Sequence, residues 1–150
     1  MKIVSGGQTG VDRAALDAAI SVGLPHGGWC PRGRTAEDGP IADRYQLRET
    51  ESWEYPVRTE QNVLDSDATL ILYAGELRGG TEFTYRMTRK HRRPCLQVDL
   101  DDPPAADIVL QWLRECGVEI LNVAGPRESQ RPGIYERAAA FLREVFAITK

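Results

Sequence analysis

Short apolar runs alternate with amphipathic segments along the whole chain. Ile3 and Val4 form an apolar run that is followed by a glycine-rich stretch. The next segment repeats apolar residues at the i, i+3, i+4, i+7 spacing of one helix face, at Val11, Ala14, Ala15, Ala18, Ala19 and Val22. Gly23 supplies a helix stop. This pattern predicts a strand, a glycine loop and a helix.

The same alternation continues to the end of the chain. It predicts a weak second strand near residues 27–30, a helix over 57–64, a strand over 68–73, a helix from Gly79 to about His91, and strands over 95–100 and 119–123. Between the last two strands, Asp101-Asp102-Pro103-Pro104 predicts an acidic helix cap. We expect that helix to bury Ala105, Ile108, Val109, Trp112 and Cys116, and the final helix to bury Ile134, Ala138, Phe141, Leu142 and Val145.

The polar segment 31–56 lacks a clear period, and one or two helical turns are expected within 41–47. Strands that alternate with helices are typical of βαβ units and of a parallel sheet with helices on both faces. The sequence therefore predicts an α/β fold, a three-layer α/β/α sandwich on a mainly parallel five-stranded sheet. For strands numbered along the chain, the alternation alone favours the order 2-1-3-4-5.

Composition narrows the class of protein. The chain has 150 residues, 41% hydrophobic and 27% charged, which fits one globular domain over 1–150. A formal net charge of −3 gives no basic field for nucleic acid, and the apolar runs are too short to cross a membrane. Three cysteines without CxxC spacing predict buried thiols in a cytoplasmic protein rather than disulfides or zinc, and two isolated histidines predict no metal site.

Glycine loops at three strand-to-helix turns are the strongest functional feature. Glycine lets a backbone approach an anion, and the following helix N-terminus offers unpaired N–H donors. The predicted phosphate donors are Gly6, Gly7, Gln8, Thr9, Gly10, Gly79, Gly80, Thr81, Gly125, Arg127 and Ser129. The first loop reads G-G-x-x-G, which is neither the dinucleotide fingerprint nor a P-loop.

Several further residues admit two interpretations. Asp12 could bind a ribose hydroxyl or favour the helix N-terminus. Arg34 lies in segment 32–39, which could be a basic flap over an anionic ligand or a solvated loop. Trp29 and Trp53 could stack on a ligand ring or belong to the core.

A string of motifs across nearly the whole chain resembles a known family. The motifs are SGGQTGVDRAA at 5–15, WCP at 29–31, GR at 33–34, AEDG at 36–39, RT at 58–59, NV at 62–63, GGTEFT at 79–84, NVAGPR at 122–127 and PG at 132–133. They resemble the molybdenum-cofactor carrier family, which is also described as the circularly permuted YpsA-like branch of the SLOG superfamily. The resemblance implies a Rossmann-like domain, and permutation implies the strand order 2-1-5-3-4. It also implies a small phosphate-bearing ligand, either the molybdenum cofactor or a nucleotide, with no cofactor held tightly by side chains. A homo-oligomer, dimer or tetramer, is expected.

A related branch, the cytokinin-activating phosphoribohydrolases, suggests an alternative. Its motif P-G-G-x-G-T-x-x-E carries a catalytic glutamate, and Thr84 stands at that position here. Hydrolysis of a nucleotide N-glycosidic bond would need another carboxylate, with Asp12, Glu82 or Glu128 as candidates. A nucleotide-sensing interaction module is a third hypothesis.

Overall fold

The computed structural model of the chain describes residues 1–149. Its strands are β1 (Lys2–Val4), β2 (His26–Gly27), β3 (Trp29–Cys30), β4 (Thr35–Ala36), β5 (Gly39–Pro40), β6 (Arg48–Glu49), β7 (Ala68–Tyr73), β8 (Cys95–Asp99) and β9 (Ile120–Ala124). Its helices are α1 (Val11–Val22), α2 (Tyr55–Leu64), α3 (Gly79–Lys90), α4 (Ala106–Glu115) and α5 (Ile134–Thr149).

Five parallel strands form the central sheet in the order β2-β1-β9-β7-β8. The last strand lies in the middle, where Asn122 is opposite Val4 on one side and Thr69 on the other. In strands counted along the chain this order is 2-1-5-3-4, so the order implied by permutation is confirmed and 2-1-3-4-5 is wrong. The consequence for function is that the loops after β1, β7 and β9 meet at one edge of the sheet.

The two faces of the sheet differ in character. One face packs against α1, α4 and α5 in an apolar core that includes Ile3, Leu70, Leu72, Leu121 and Phe146. The other face lies under α2 and α3, where α3 buries three threonines, Thr81, Thr84 and Thr88. The hydroxyls of Thr84 and Thr88 donate to carbonyls of α3 itself, so this layer buries polar side chains that the helix satisfies.

The helix after β8 begins later than its acidic sequence predicts. It starts at Ala106, after an extended Ala105 and two prolines, and Asp101 pairs with Arg137 at 2.7 Å instead of capping the helix. The buried face is Ala106, Val109, Leu110 and Leu113, whereas Ile108 and Cys116 are exposed. The predicted face was wrong because its period was counted from one residue too early.

Segment 31–56 also departs from expectation. Residues 41–47 form turns rather than a helix, and Ile41, Tyr45 and Leu47 are buried in a small second core with Leu16 and Cys30. The second strand of the main sheet ends at Gly27, after which the chain turns through Gly28 at φ +126° and β3 pairs with β6. Of the three thiols only Cys30 is buried; Cys95 is half-buried and Cys116 is exposed, so burial was wrongly predicted for the last.

Candidate functional site

A cleft of about 290 Å³ opens at the carboxyl ends of β1 and β9, between the sheet and the helices α2 and α3. Its lining comes from five stretches of chain: Gly6, Gln8 and Asp12; Tyr55, Pro56, Arg58, Thr59 and Asn62; Gly79, Gly80, Thr81, Phe83 and Thr84; Asn122, Val123, Ala124, Gly125 and Arg127; and Gln130. The cleft therefore collects part of each glycine loop that the sequence marks.

The loop after β1 is held in place by buried charges. Arg58 Nη1 donates to the Gly6 carbonyl at 2.8 Å and lies 3.7 Å from Asp12 Oδ2. The Gln8 backbone N–H donates to the same carboxylate oxygen at 3.4 Å, and Ser5 Oγ donates to the Asp12 carbonyl at 2.8 Å. Burial raises the pKa of Asp12 to about 6, against the opposing charge of Arg58. The loop is thus fixed by an acid whose ionisation is costly.

Gln8 lines this space and carries an unpartnered donor. The residue is 6% exposed, and its Oε1 accepts from the backbone N–H groups of Thr9 at 3.0 Å and Glu37 at 2.9 Å. Those two bonds fix which end of the amide is the oxygen, because the reverse orientation would oppose donor to donor. Among residues 1–149, Nε2 is the buried side-chain nitrogen or oxygen without a hydrogen-bond partner. A native orphan donor of this kind calls for a ligand or a water molecule.

The N-terminus of α3 lines the same cleft as the loop after β1. The helix follows an extended Arg78, and no side chain of the described chain caps it. The first N–H groups of a helix have no partner inside it, so Gly79 and Gly80 present donors. A Cβ built at Gly80 would meet no described atom within 4 Å, so the space beside it is open. This is the arrangement that favours an anion.

Two arginines flank one aromatic ring at the cleft. The guanidinium of Arg58 lies 5.3 Å from the centroid of Tyr55, and that of Arg127 lies 5.6 Å from it. Arg127 also lies 4.0 Å from a carboxylate oxygen of Glu37. Gly125 has a structural role, since a Cβ there would lie 2.2 Å from the Leu72 carbonyl oxygen. Positive charge in this cleft thus comes from side chains of α2 and of the loop after β9.

Other predicted donors lie beside the cleft, on the loops after β1 and β9. Thr9 and Ser129 both donate to the carboxylate of Glu37, and they line a groove outside the cleft. Gly7 and Gly10 both adopt φ +77°, a left-handed conformation that favours glycine. The Gly7 carbonyl accepts from Arg13 at 3.0 Å, and a Cβ at Gly10 would lie 2.3 Å from the Pro126 carbonyl oxygen.

Arg34 folds back onto its own loop. Its guanidinium donates to the carbonyls of Ala42 at 2.9 Å, Tyr45 at 2.8 Å and Leu47 at 3.2 Å. Arg34, for which a basic flap and a solvated loop were both predicted, therefore braces segment 41–47. In segment 32–39, the side chains that contact the neighbouring loops and α1 are Glu37 and Asp38, which were predicted only as part of the motif at 36–39.

The three candidate catalytic carboxylates are separated. Asp12 lines the cleft, Glu82 is exposed, and Glu128 accepts from the N–H groups of Gly133 at 2.7 Å and Tyr135 at 3.0 Å at the start of α5. Thr84 donates to the Gly80 carbonyl at 2.9 Å within α3. A carboxylate inside the cleft is therefore supplied by Asp12.

Sequence reasoning missed most of the α2 contribution. Tyr55, Arg58 and Asn62 line the cleft, yet none was among the predicted donors. The available signal was the spacing of Arg58 and Asn62, two polar residues four apart on the buried face of a helix. Neither proposed tryptophan stacks in the cleft: Trp53 is 72% exposed, and Arg48 lies 4.4 Å over the Trp29 ring.

Residues 1–149 contain no group of three or more His, Cys, Asp or Glu residues placed to hold a metal ion. Over the same residues, no helix has the length and apolar character needed to span a membrane.

Comparisons with known proteins agree with the fold. The model of the circularly permutated YpsA SLOG family matches residues 3–146. A crystal structure titled "Putative molybdenum carrier protein", from Syntrophus aciditrophicus SB, is 46% identical and superposes with a TM-score of 0.94 over 97% of this chain and 94% of that chain. No curated protein matches the sequence.

Proposed function

The chain belongs to the circularly permuted YpsA SLOG family, and from that premise we propose that it binds a small phosphate-bearing ligand in the cleft. Because its structural neighbour is titled a molybdenum carrier, we further propose that the ligand class includes the molybdenum cofactor. In this proposal the protein holds and passes on a ligand rather than converting it.

The observation that carries the proposal is the orphan Nε2 of Gln8. A buried amide without a partner costs about 1–3 kcal/mol, and an acceptor atom of a ligand would remove that cost. The uncapped start of α3 opens onto the same cleft, with unfilled space at Gly80. Arg58 and Arg127 would balance the charge of a phosphate dianion.

The donor set also suits molybdenum delivered as part of an oxyanion or a phosphate-bearing cofactor. Backbone N–H groups, an amide and guanidinium groups bind oxygen atoms of tetrahedral anions. Such groups do not ligate a bare cation, and residues 1–149 offer no cluster of metal-ligating side chains. Gln8, Gly80, Thr81 and Arg127 would therefore contact the oxygen atoms of the cargo.

A thermal-shift comparison of matched ligands tests the proposal. The set is AMP with adenosine as its phosphate-free control, together with ADP-ribose, molybdopterin and molybdate. At a concentration a hundredfold above Kd, a ligand stabilises the folded protein by about 2.7 kcal/mol. We expect a shift with at least one phosphate-bearing compound or molybdate and none with adenosine. Equal responses to AMP and adenosine, with no response to the others, would contradict phosphate recognition.

Asp12 favours a second candidate, hydrolysis of a nucleotide N-glycosidic bond. Its carboxyl lines the cleft, and burial raises its pKa to about 6, which suits a general acid near neutral pH. Incubation with each nucleoside monophosphate, followed by chromatography for free base, tests this reaction. Base released by the parent and lost in Asp12→Asn would support it, and no release from any nucleotide would rule it out.

A homo-oligomer in the cytoplasm remains part of the proposal. Association could cover exposed apolar side chains such as Ile108 of α4 and Ile148 of α5. Light scattering of the purified protein is expected to give a dimer or tetramer mass.

A further inference from the structure

Glu37 brings a carboxylate from the β4–β5 hairpin to the sheet edge. Its oxygens accept from Ser129 Oγ at 2.5 Å, from the Ser129 backbone N–H at 3.1 Å and from the Thr9 hydroxyl. Arg127 Nη1 lies 4.0 Å away. One side-chain anion is thus surrounded by two hydroxyls, one backbone N–H and one guanidinium.

This set of donors is the kind that proteins use for phosphate. It comes from the loops after β1 and β9, which the family fold brings together at the carboxyl edge of the sheet. Burial works against ionisation of Glu37, yet the hydrogen bonds from Ser129 and Thr9 outweigh it and lower the pKa of that carboxyl. The donors therefore favour an anion at this position.

The position lies between two spaces. Arg127 lines the cleft, while Thr9, Glu37 and Ser129 line a groove of about 730 Å³ beside it. Gln8 also links the two, because its Oε1 accepts the Glu37 N–H while its Nε2 is unpartnered beside the cleft. A ligand extending from the cleft past Arg127 would meet the Glu37 carboxylate first.

Few contacts hold the hairpin at the sheet edge, and they come from Glu37 and Asp38. Beyond Glu37, its other side-chain anchor among residues 35–40 is Asp38, which accepts from Arg13 at 2.9 Å and 3.1 Å. Both strands of the hairpin have two residues, and the hairpin lies at the surface. Exchange of one carboxylate for another anion would leave the central sheet untouched.

We propose that Glu37 is an exchangeable internal ligand of a second oxyanion subsite, formed by Thr9, Ser129 and Arg127, which a phosphate-like group occupies when the hairpin moves aside. The contact is autoinhibitory, because the carboxylate must leave before the external anion binds. The inference goes beyond the proposed function, since two of the three donors, Thr9 and Ser129, line the groove outside the cleft.

Titration with inorganic phosphate, followed by amide NMR shifts, tests this subsite. The Ser129 amide reports the second subsite, and the Gly80 amide reports the cleft. Glu37→Ala is expected to tighten phosphate binding at Ser129 about tenfold, because a competing charge-assisted contact is removed. Asp38→Ala is the matched control, since it removes the same charge and the other anchor of the same hairpin. Because Glu37 still occupies the donors in Asp38→Ala, any gain in phosphate affinity at Ser129 should stay within about twofold of the parent.

The double variant Glu37→Ala/Ser129→Ala should lose the gain in phosphate affinity that Glu37→Ala shows. The Thr9 amide shift measures the affinity of this double variant. If Glu37→Ala does not fold, the parent supplies the test: the amides of Glu37 and Ser129 should shift with one common midpoint at high phosphate. A folded Glu37→Ala without tighter binding at Ser129, or an equal gain in Asp38→Ala, would overturn the inference. A parent whose Ser129 amide stays still while Glu37 shifts would do the same. A response at Ser129 without one at Gly80 would instead contradict the cleft proposal alone.

Discussion

Arg58 Nη1 lies 3.7 Å from Asp12 Oδ2, and each side chain is only 10% exposed. This pair joins the start of α1 to the buried face of α2, and the same arginine holds the Gly6 carbonyl. Both side chains line the cleft, so the charge state of the pair affects both the fold and the site.

Stability is expected to depend on pH through Asp12. Its folded pKa of about 6 lies above the ordinary 3.8, so between these values the folded protein holds a proton that the unfolded chain has released. The free energy of unfolding therefore falls as pH rises from about 4 to 6, by roughly 2–3 kcal/mol, and is then level. Asp12→Asn removes this slope.

Urea unfolding of the parent and Asp12→Asn at several pH values between 4 and 7 measures the difference. Three other carboxylates, Glu37, Asp38 and Glu60, have lowered pKa values and therefore lose stabilising interactions as pH falls. Subtracting the variant's free energy of unfolding from the parent's cancels this opposite effect. A parent-minus-variant difference that stays constant over this range would show that Asp12 titrates normally.

Gln8→Glu should abolish the orphan donor while retaining the acceptor oxygen that Thr9 and Glu37 use. We expect the affinity for a phosphate-bearing ligand to fall at least about tenfold, because one hydrogen bond to a charged group is replaced by repulsion. Gln130→Glu makes the same change at an exposed position of the same cleft and should weaken binding less. Calorimetric titration with the ligand found by thermal shift gives both values; equal losses would mean that only net charge matters.

Gly80→Ala should separate binding from folding. The new methyl meets no described atom within 4 Å, and alanine is the better helix former, so stability should be unchanged or higher by up to about 1 kcal/mol. The methyl would nonetheless fill the space where the proposed anion sits. Thermal unfolding should therefore show no loss while ligand affinity drops, and an unaltered affinity would place the anion elsewhere.

Gly125→Ala should lower the stability of the fold. A Cβ there would lie 2.2 Å from the Leu72 carbonyl oxygen and 2.5 Å from Val11 Cγ2, so the strand end or α1 must move. Overpacking of this kind costs about 1–3 kcal/mol. Chemical denaturation measures the loss, and a variant as stable as the parent would show that this contact relaxes freely.

Much of the architecture was predictable because the relevant interactions are local. The helix over 57–64 and the strand over 68–73 follow from periodicity, and they match α2 and β7 within two residues. The errors arise where neighbours in sequence give poor guidance. Two prolines delay α4, and segment 41–47 has apolar residues that serve a second small core instead of a helix face.

The three glycine loops of the site were predicted from the sequence. Which of their residues line the cleft and which contact Glu37 was not predicted. Gly80 and Gln8 face the cleft, whereas Thr9 and Ser129 hold Glu37. Arg58 was missed as a cleft residue, because its role depends on contact with a loop 52 residues earlier.

By itself, the sequence determined which segments become strands and helices and where glycine permits a close approach, since these are properties of adjacent residues. The family motifs added the strand order. Only the tertiary structure decided which loop atoms point into the cleft and which are already paired. Pairings such as Glu37 with Ser129, 92 residues apart, depend on how distant elements pack, and local periodicity carries no information about that distance.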